Sequence, residues 1–197
     1  MVTATMIGLT GSVSSGKSAT LAAFERLGAE TISADAVVHE LLATDELREA
    51  LVERWGEDVA PGGELDRSKV AAIVFQDPDE LHWLESQLHP RVGSRIAAWR
   101  EDLGPDAGLA VIEVPLLFES GMEGLFDAVV AVTAPRDLRA VRAEGRGMDE
   151  LEGRDGRQLP EAEKAARSDF VIENDGSLDD LEAKLEALLP ELKSARR

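Results

Sequence analysis

The sequence predicts an α/β fold: a five-stranded parallel sheet flanked by helices, with a helical insertion after the second strand. Three observations predict it. Five short stretches read as strands, and most are continuous runs rich in Val and Ile rather than alternating ones. That is how strands buried on both faces read. Helical patterns separate them, which implies right-handed crossovers. The first strand leads into Gly11-Ser12-Val13-Ser14-Ser15-Gly16-Lys17-Ser18, which fits G-x-x-x-x-G-K-[ST].

The elements follow in order. The first strand is Thr5–Leu9, built on the apolar run Met6-Ile7-Gly8-Leu9. After the glycine-rich loop, Ala19 to Leu27 has helical spacing, with Leu21, Phe24 and Leu27 recurring every three residues. The second strand is Glu30–Ser33. From Asp35 to Asp106 no strand signal occurs, and a simple βαβ crossover needs far less chain. This stretch is an all-helical insertion. Within it, Gly62-Gly63 precedes Asp66, a candidate helix cap. Asp77-Pro78-Asp79-Glu80 supplies an N-cap, a proline at the first helical position and an acid three residues after the cap. The helix it opens runs to about Arg100 and carries Leu81, Leu84, Leu88, Val92, Ile96 and Trp99 on one stripe. The insertion also holds every tryptophan and histidine of the chain (Trp55, Trp83, Trp99, His39, His82, His89), and at helical spacing such residues are usually core or boundary packing. Strands at Leu109–Val114, Ala128–Thr133 and Phe170–Glu173 complete the sheet. The capping box Ser177-Leu178-Asp179-Asp180 opens a final helix with Leu181, Leu185 and Leu188 inward. The tail from Lys193 onward is expected to fray.

Composition narrows the function. The apolar fraction is 44% and no apolar run is long enough to span a membrane. No basic stretch precedes an apolar core at the N-terminus, so no signal peptide is expected. The absence of cysteine removes disulfides, thiolate metal sites and a cysteine nucleophile. A cytoplasmic protein is the expectation. The net charge of −18 argues against nucleic acid as a partner. Basic residues balance acidic ones only between Arg136 and Arg167, which holds eight of each; the other 13 basic and 31 acidic residues carry the whole net charge. Arg139, Arg142 and Arg146 share one face there at 100° per residue, which favours a functional basic face over a merely solvated one.

The chemistry starts at the loop. Backbone N–H groups of Gly11, Ser12, Val13, Ser14, Ser15 and Gly16 would surround a phosphate, and the helix N-terminus adds the positive end of its dipole. Lys17 would reach the β- and γ-phosphates of a nucleoside triphosphate, and the Ser18 hydroxyl would sit on Mg²⁺. Asp35 lies just past the second strand, where ligands collect in open α/β sheets. It reads equally as the base that accepts a hydroxyl proton and as the cap of a helix starting at Ala36. Glu113, at the end of the third strand, resembles the acid that supports Mg²⁺ on a neighbouring strand of such proteins. Glu119 reads as a cap or an ion-pair partner. No N-K-x-D guanine motif occurs.

Six stretches, in order, closely resemble the dephospho-coenzyme A kinase family. They are Gly8-Leu9-Thr10-Gly11…Gly16-Lys17-Ser18, Ser33-Ala34-Asp35, Leu88-His89-Pro90, Val114-Pro115-Leu116-Leu117-Phe118-Glu119, Arg154…Gln158-Leu159-Pro160…Lys164, and Ser168-Asp169-Phe170-Val171-Ile172-Glu173-Asn174. The resemblance implies a P-loop kinase with a core (about 1–34, 107–135 and 168–197), a helical substrate subdomain (about 35–106) and a basic lid (about 136–167). It implies ATP and Mg²⁺, with dephospho-coenzyme A as the small-molecule partner phosphorylated on its ribose 3′-hydroxyl. By this similarity Asp35 is the general base, and Lys17 and Arg154 complete the catalytic set. Ala19, Arg146 and Asn174 join the loop in holding ATP. His89, Pro115 and Leu116 are expected at the substrate.

The chain departs from the family pattern at Ser12 and Ser14, where glycine is usual, at Ala19, where threonine is usual, and in a lid about two residues shorter. Serine reaches positive φ less cheaply than glycine, so a left-handed serine would strain the loop. The competing expectations are another small-acceptor P-loop kinase, acting on a nucleoside or nucleoside monophosphate, and a nucleotide-binding switch without transferase activity.

Overall fold

The computed structural model, which describes residues 4–144 and 158–195, places five parallel strands in one sheet: β1 (Thr5–Gly11), β2 (Glu30–Ser33), β3 (Leu109–Glu113), β4 (Ala128–Thr133) and β5 (Phe170–Glu173). Their spatial order is β2-β3-β1-β4-β5. The strand that carries the glycine-rich loop is therefore central, with both ladders filled and the order reversing around it. The carboxyl end of such a strand is where open sheets bind ligands. The registers align Leu9 with Glu113 on one side and Gly11 with Val132 on the other.

The predicted strands are found, β2, β4 and β5 at the expected bounds and β1 and β3 with one end displaced by one or two residues. β1 runs on to Gly11 because Thr10 and Gly11 keep their pairing with Ala131 and Val132. β3 stops at Glu113, one residue short of Val114. The helix after the loop, α1 (Lys17–Arg26), starts two residues before Ala19 because Gly16, at φ 102°, already turns the chain into it.

Residues up to Ser33 and from Leu103 onward form one unit. Its described helices after β4 are α6 (Arg136–Glu144), α7 (Glu161–Arg167) and α8 (Leu178–Ser194). Ile7, Leu9, Val111, Val130 and Val132 of the sheet close a core with Ala23 and Phe24 of α1 and Leu181, Leu185 and Leu192 of α8. Burying each such large aliphatic or aromatic side chain stabilises by about 1.5–3 kcal/mol. The capping box at Ser177 is present: its hydroxyl accepts from the Asp180 N–H, and the Asp180 carboxylate accepts from the Ser177 N–H.

Ala34–Asp102 forms the second unit, whose described elements are all helices. It holds α2 (Ala34–Leu42), α3 (Asp45–Trp55), α4 (Arg67–Gln76) and α5 (Pro78–Glu101). Asp66 caps α4 and Asp77 caps α5, each by accepting N–H groups of the first turn. The predicted stripe of α5 faces inward at Leu84 and Leu88. Two of the tryptophans are packing residues. Trp55 and Trp83 meet edge to face at 5.2 Å, and the Trp55 indole donates to Glu80, which Arg54 also holds.

α2 begins at Ala34, so Asp35 lies inside its first turn. The expectation that Asp35 caps a helix starting at Ala36 is therefore corrected. β2 runs straight into α2 without an intervening cap residue, which places the Asp35 carboxylate on an exposed first turn.

Candidate active site

Gly11 to Gly16 form a compact loop whose geometry depends on both glycines. Gly11 has φ 152°, and a Cβ there would strike the backbone carbonyl of Val132 on β4. Gly16 has φ 102°, and its Cβ would occupy the position of the Asn174 side-chain amide. Between them, Ser14 is the one described non-glycine residue at positive φ, 59°. Of the two serines that stand where glycine is usual, Ser14 is left-handed and Ser12 is not. The left-handed conformation stores strain on the order of 1 kcal/mol.

The loop is well buried: Ser12, Ser14 and Ser15 are each under a tenth exposed, and the Oγ atoms of Ser14 and Ser15 have no hydrogen-bond partner. Unpaired buried hydroxyls are costly, and a phosphate at the loop would supply their acceptors. The Lys17 ammonium folds back onto the loop, donating to the carbonyls of Gly11 (3.0 Å) and Ser12 (3.1 Å). Val13 is half-buried, and Ser18 is exposed at the start of α1.

Asn174, one residue beyond β5, is 5% exposed. Its amide donates to the carbonyl of Ser15 at 2.9 Å. Arg142 of α6 reaches the same place: one guanidinium nitrogen donates to Ser15 O (3.4 Å) and another to the Asn174 backbone carbonyl (3.2 Å). Sequence reasoning singles out Arg146 and passes over Arg142 as a ligand. The signal was present in the helical face shared by Arg139, Arg142 and Arg146. What it lacked was the rotation of α6 about its axis, which only packing sets.

Other cations of the basic segment pair with acids of neighbouring elements. Arg139 pairs with Glu161 across α6 and α7 at 3.6 Å, and Arg167 of α7 pairs with Glu123 and lies over the Phe118 ring. Lys164 pairs with Glu119 at 2.9 Å. Three of the segment's cations therefore hold elements together. Arg146 and Arg154, expected at the nucleotide and the reaction centre, lie outside the described residues.

At the exit of β3, Glu113 is 5% exposed and sits in register between Leu9 of β1 and Ser33 of β2. The Pro115 carbonyl accepts from the Thr10 hydroxyl (3.2 Å) and from the Lys164 ammonium (2.7 Å). Leu116 is half-buried. The Glu119 carboxylate accepts the Leu159 N–H at 2.7 Å. Burial pushes its pKa up, but the Leu159 N–H and the Lys164 ammonium outweigh that and hold it below the ordinary 4.5.

Among the described residues no three His, Cys, Asp or Glu side chains gather as a metal cage. The Ser18 hydroxyl and the Glu113 carboxylate are hard oxygen donors of the kind Mg²⁺ takes, one or two from protein and the rest from phosphate and water. The donor chemistry fits that ion. In the helical unit, Asp35 and His89 are both exposed.

A family model described as Dephospho-CoA kinase matches residues 5–180. Curated relatives named Dephospho-CoA kinase are similar throughout. The one from Frankia casuarinae is 39% identical over 96% of this chain and 84% of its own. The one from Anaeromyxobacter dehalogenans is 40% identical over 97% of this chain and 93% of its own. Among solved structures, TT1252 from Thermus thermophilus superposes with a TM-score of 0.83 at 36% identity, covering 97% of this chain and 99% of that one.

Proposed function

The chain belongs to the dephospho-CoA kinase family, whose members act at the last step of coenzyme A biosynthesis, and we propose that it transfers the γ-phosphoryl group of ATP to the ribose 3′-hydroxyl of dephospho-coenzyme A. The products are coenzyme A and ADP. The observation that carries the proposal is the loop itself, whose buried Ser14 and Ser15 hydroxyls lack partners and whose Lys17 ammonium rests on loop carbonyls. A triphosphate entering there replaces those carbonyls as the partner of Lys17 and satisfies the hydroxyls.

In this reading the N–H groups of residues 11–16 hold the β-phosphate. Lys17 stabilises charge on the β- and γ-phosphates, and such preorganised electrostatics is most of phosphoryl-transfer catalysis. Asn174 and Arg142 close the nucleotide side of the loop, with Ala19 on the helix behind it. Ser18 and Glu113 would hold Mg²⁺, which would supply positive charge to neutralise the phosphates. Asp35 accepts the proton of the attacking 3′-hydroxyl as its oxygen bonds to the γ-phosphorus and ADP leaves. His89, Pro115 and Leu116 contact dephospho-coenzyme A. Arg146 and Arg154 belong to the basic lid, Arg154 toward the transferring group. The helical unit is the substrate subdomain. In this reading the enzyme works in the cytoplasm on a small molecule, with neither nucleic acid nor membrane as a partner.

The test is ADP release coupled to acceptor. ATP with dephospho-coenzyme A should give ADP and coenzyme A in equal amounts. Equal or faster turnover with a nucleoside or nucleoside monophosphate would reassign the acceptor. Nucleotide binding with no acceptor-dependent turnover would leave only a binding protein.

A further inference from the structure

Lys164 is a lysine with its whole side chain out of water. The side chain is 1% exposed, and the carboxylate it pairs with, Glu119, is 14% exposed. Taking both charges out of water costs several kcal/mol, and a well-packed apolar pair is often as stable or more so. Stability alone is therefore a weak reason for this pair.

Its connections suggest another. The Lys164 ammonium donates to the Pro115 carbonyl, just past β3, where Glu113 ends. The same carbonyl accepts from Thr10, which is fully buried and directly precedes Gly11 of the loop. Glu119 holds the N–H of Leu159. One buried pair thus ties three points of the chain: the strand end that enters the phosphate loop, the strand end that carries Glu113, and the segment that leads into α7. Ion pairs and hydrogen bonds specify distance and angle in a way apolar contacts do not.

We propose that Lys164 and Glu119 are positioning residues for phosphoryl transfer, setting the placement of the Thr10–Gly11 and Glu113–Pro115 strand ends without touching the reactants. The proposal rests on the kinase reading above. Misplacement of a catalytic group by about 1 Å can cost on the order of 100-fold in rate. A pair that only holds the fold would move stability and rate together.

The experiment compares wild type, Lys164→Met, Glu119→Gln and the double variant Lys164→Met/Glu119→Gln, each measured for melting temperature and for kcat and KM with ATP and dephospho-coenzyme A. Lys164→Met leaves a buried carboxylate unpaired and should lower the melting temperature. The double variant removes both charges and should recover most of that loss. Its kcat should stay down about 10-fold or more, with KM for ATP within about 3-fold of wild type. Recovery of kcat together with stability in the double variant would overturn the proposal and leave a structural ion pair. If Lys164→Met does not fold, Glu119→Gln carries the test, since its amide oxygen still accepts from Leu159 while the charge is gone. Near-wild-type kcat in Glu119→Gln would then overturn it. A wild-type protein without acceptor-dependent turnover would instead overturn the kinase reading itself.

Discussion

The side-chain amide of Asn174 donates to the carbonyl of Ser15 at 2.9 Å and fills the space that a Cβ on Gly16 would need. The end of β5 and the phosphate loop are thereby locked together, although 159 positions separate the two residues. Gly16→Ala should break this contact and force an L-residue to φ 102°. We expect ATP affinity to fall at least about 10-fold, read by calorimetric titration, while Asn174→Ala weakens ATP binding less and costs about 1 kcal/mol of stability from the lost hydrogen bond.

Ser14→Gly should stabilise the nucleotide-free protein by about 1 kcal/mol in urea unfolding. It relieves a left-handed serine at φ 59° and removes a buried hydroxyl without a partner. Ser14→Val, with a β-branched side chain at the same φ, should destabilise instead.

Lys17→Ala should reduce transfer by about 100-fold or more and leave the melting temperature nearly unchanged. It donates to loop carbonyls at 3.0 and 3.1 Å, and the residue lies outside the core. Near-normal turnover in this variant would remove the loop from the reaction.

Asp35→Asn should lower kcat by about 10²–10⁴ with ATP affinity unchanged, the scale of general base catalysis. Because Asp35 sits within the first turn of α2 and is exposed, the amide should cost little stability. A variant with normal kcat would place the base elsewhere.

Glu119 should make stability pH-dependent on the acid side. Its carboxyl titrates below the ordinary 4.5, so the stability it contributes is complete above that value. That contribution is lost as pH falls from about 4.5 through the lower folded-state pKa. Acid unfolding followed by circular dichroism should therefore show a shallower dependence below that pH in Glu119→Gln than in wild type.

The strands and the loop were legible in the sequence because their signals are local. A continuous Val/Ile run reports burial on both faces, and a G-x-x-x-x-G-K-S stretch between strand and helix reports a phosphate turn. The capping residues Asp66, Asp77 and Ser177 were equally legible, since a cap acts within three residues of itself. Asp35 was ambiguous for the opposite reason. It read equally as a base and as a cap, and whether it capped a helix depended on where β2 released the chain, which neighbouring residues did not reveal.

The sequence by itself determined the sheet, the phosphate loop and the family to which the chain belongs. It also showed that one segment gathers positive charge on an otherwise acidic chain. Tertiary structure decided what each of those charges does. Arg142 turns to Ser15 and Asn174, Arg139 to Glu161, Lys164 to Glu119 and Pro115, and Arg167 to Glu123. The partners lie between 22 and 127 positions away. Helical periodicity gives the angle between side chains on one helix, but not the angle of the helix against its neighbours. That second angle is set when apolar faces pack, and it alone divides the arginines and lysines between the loop and the scaffold.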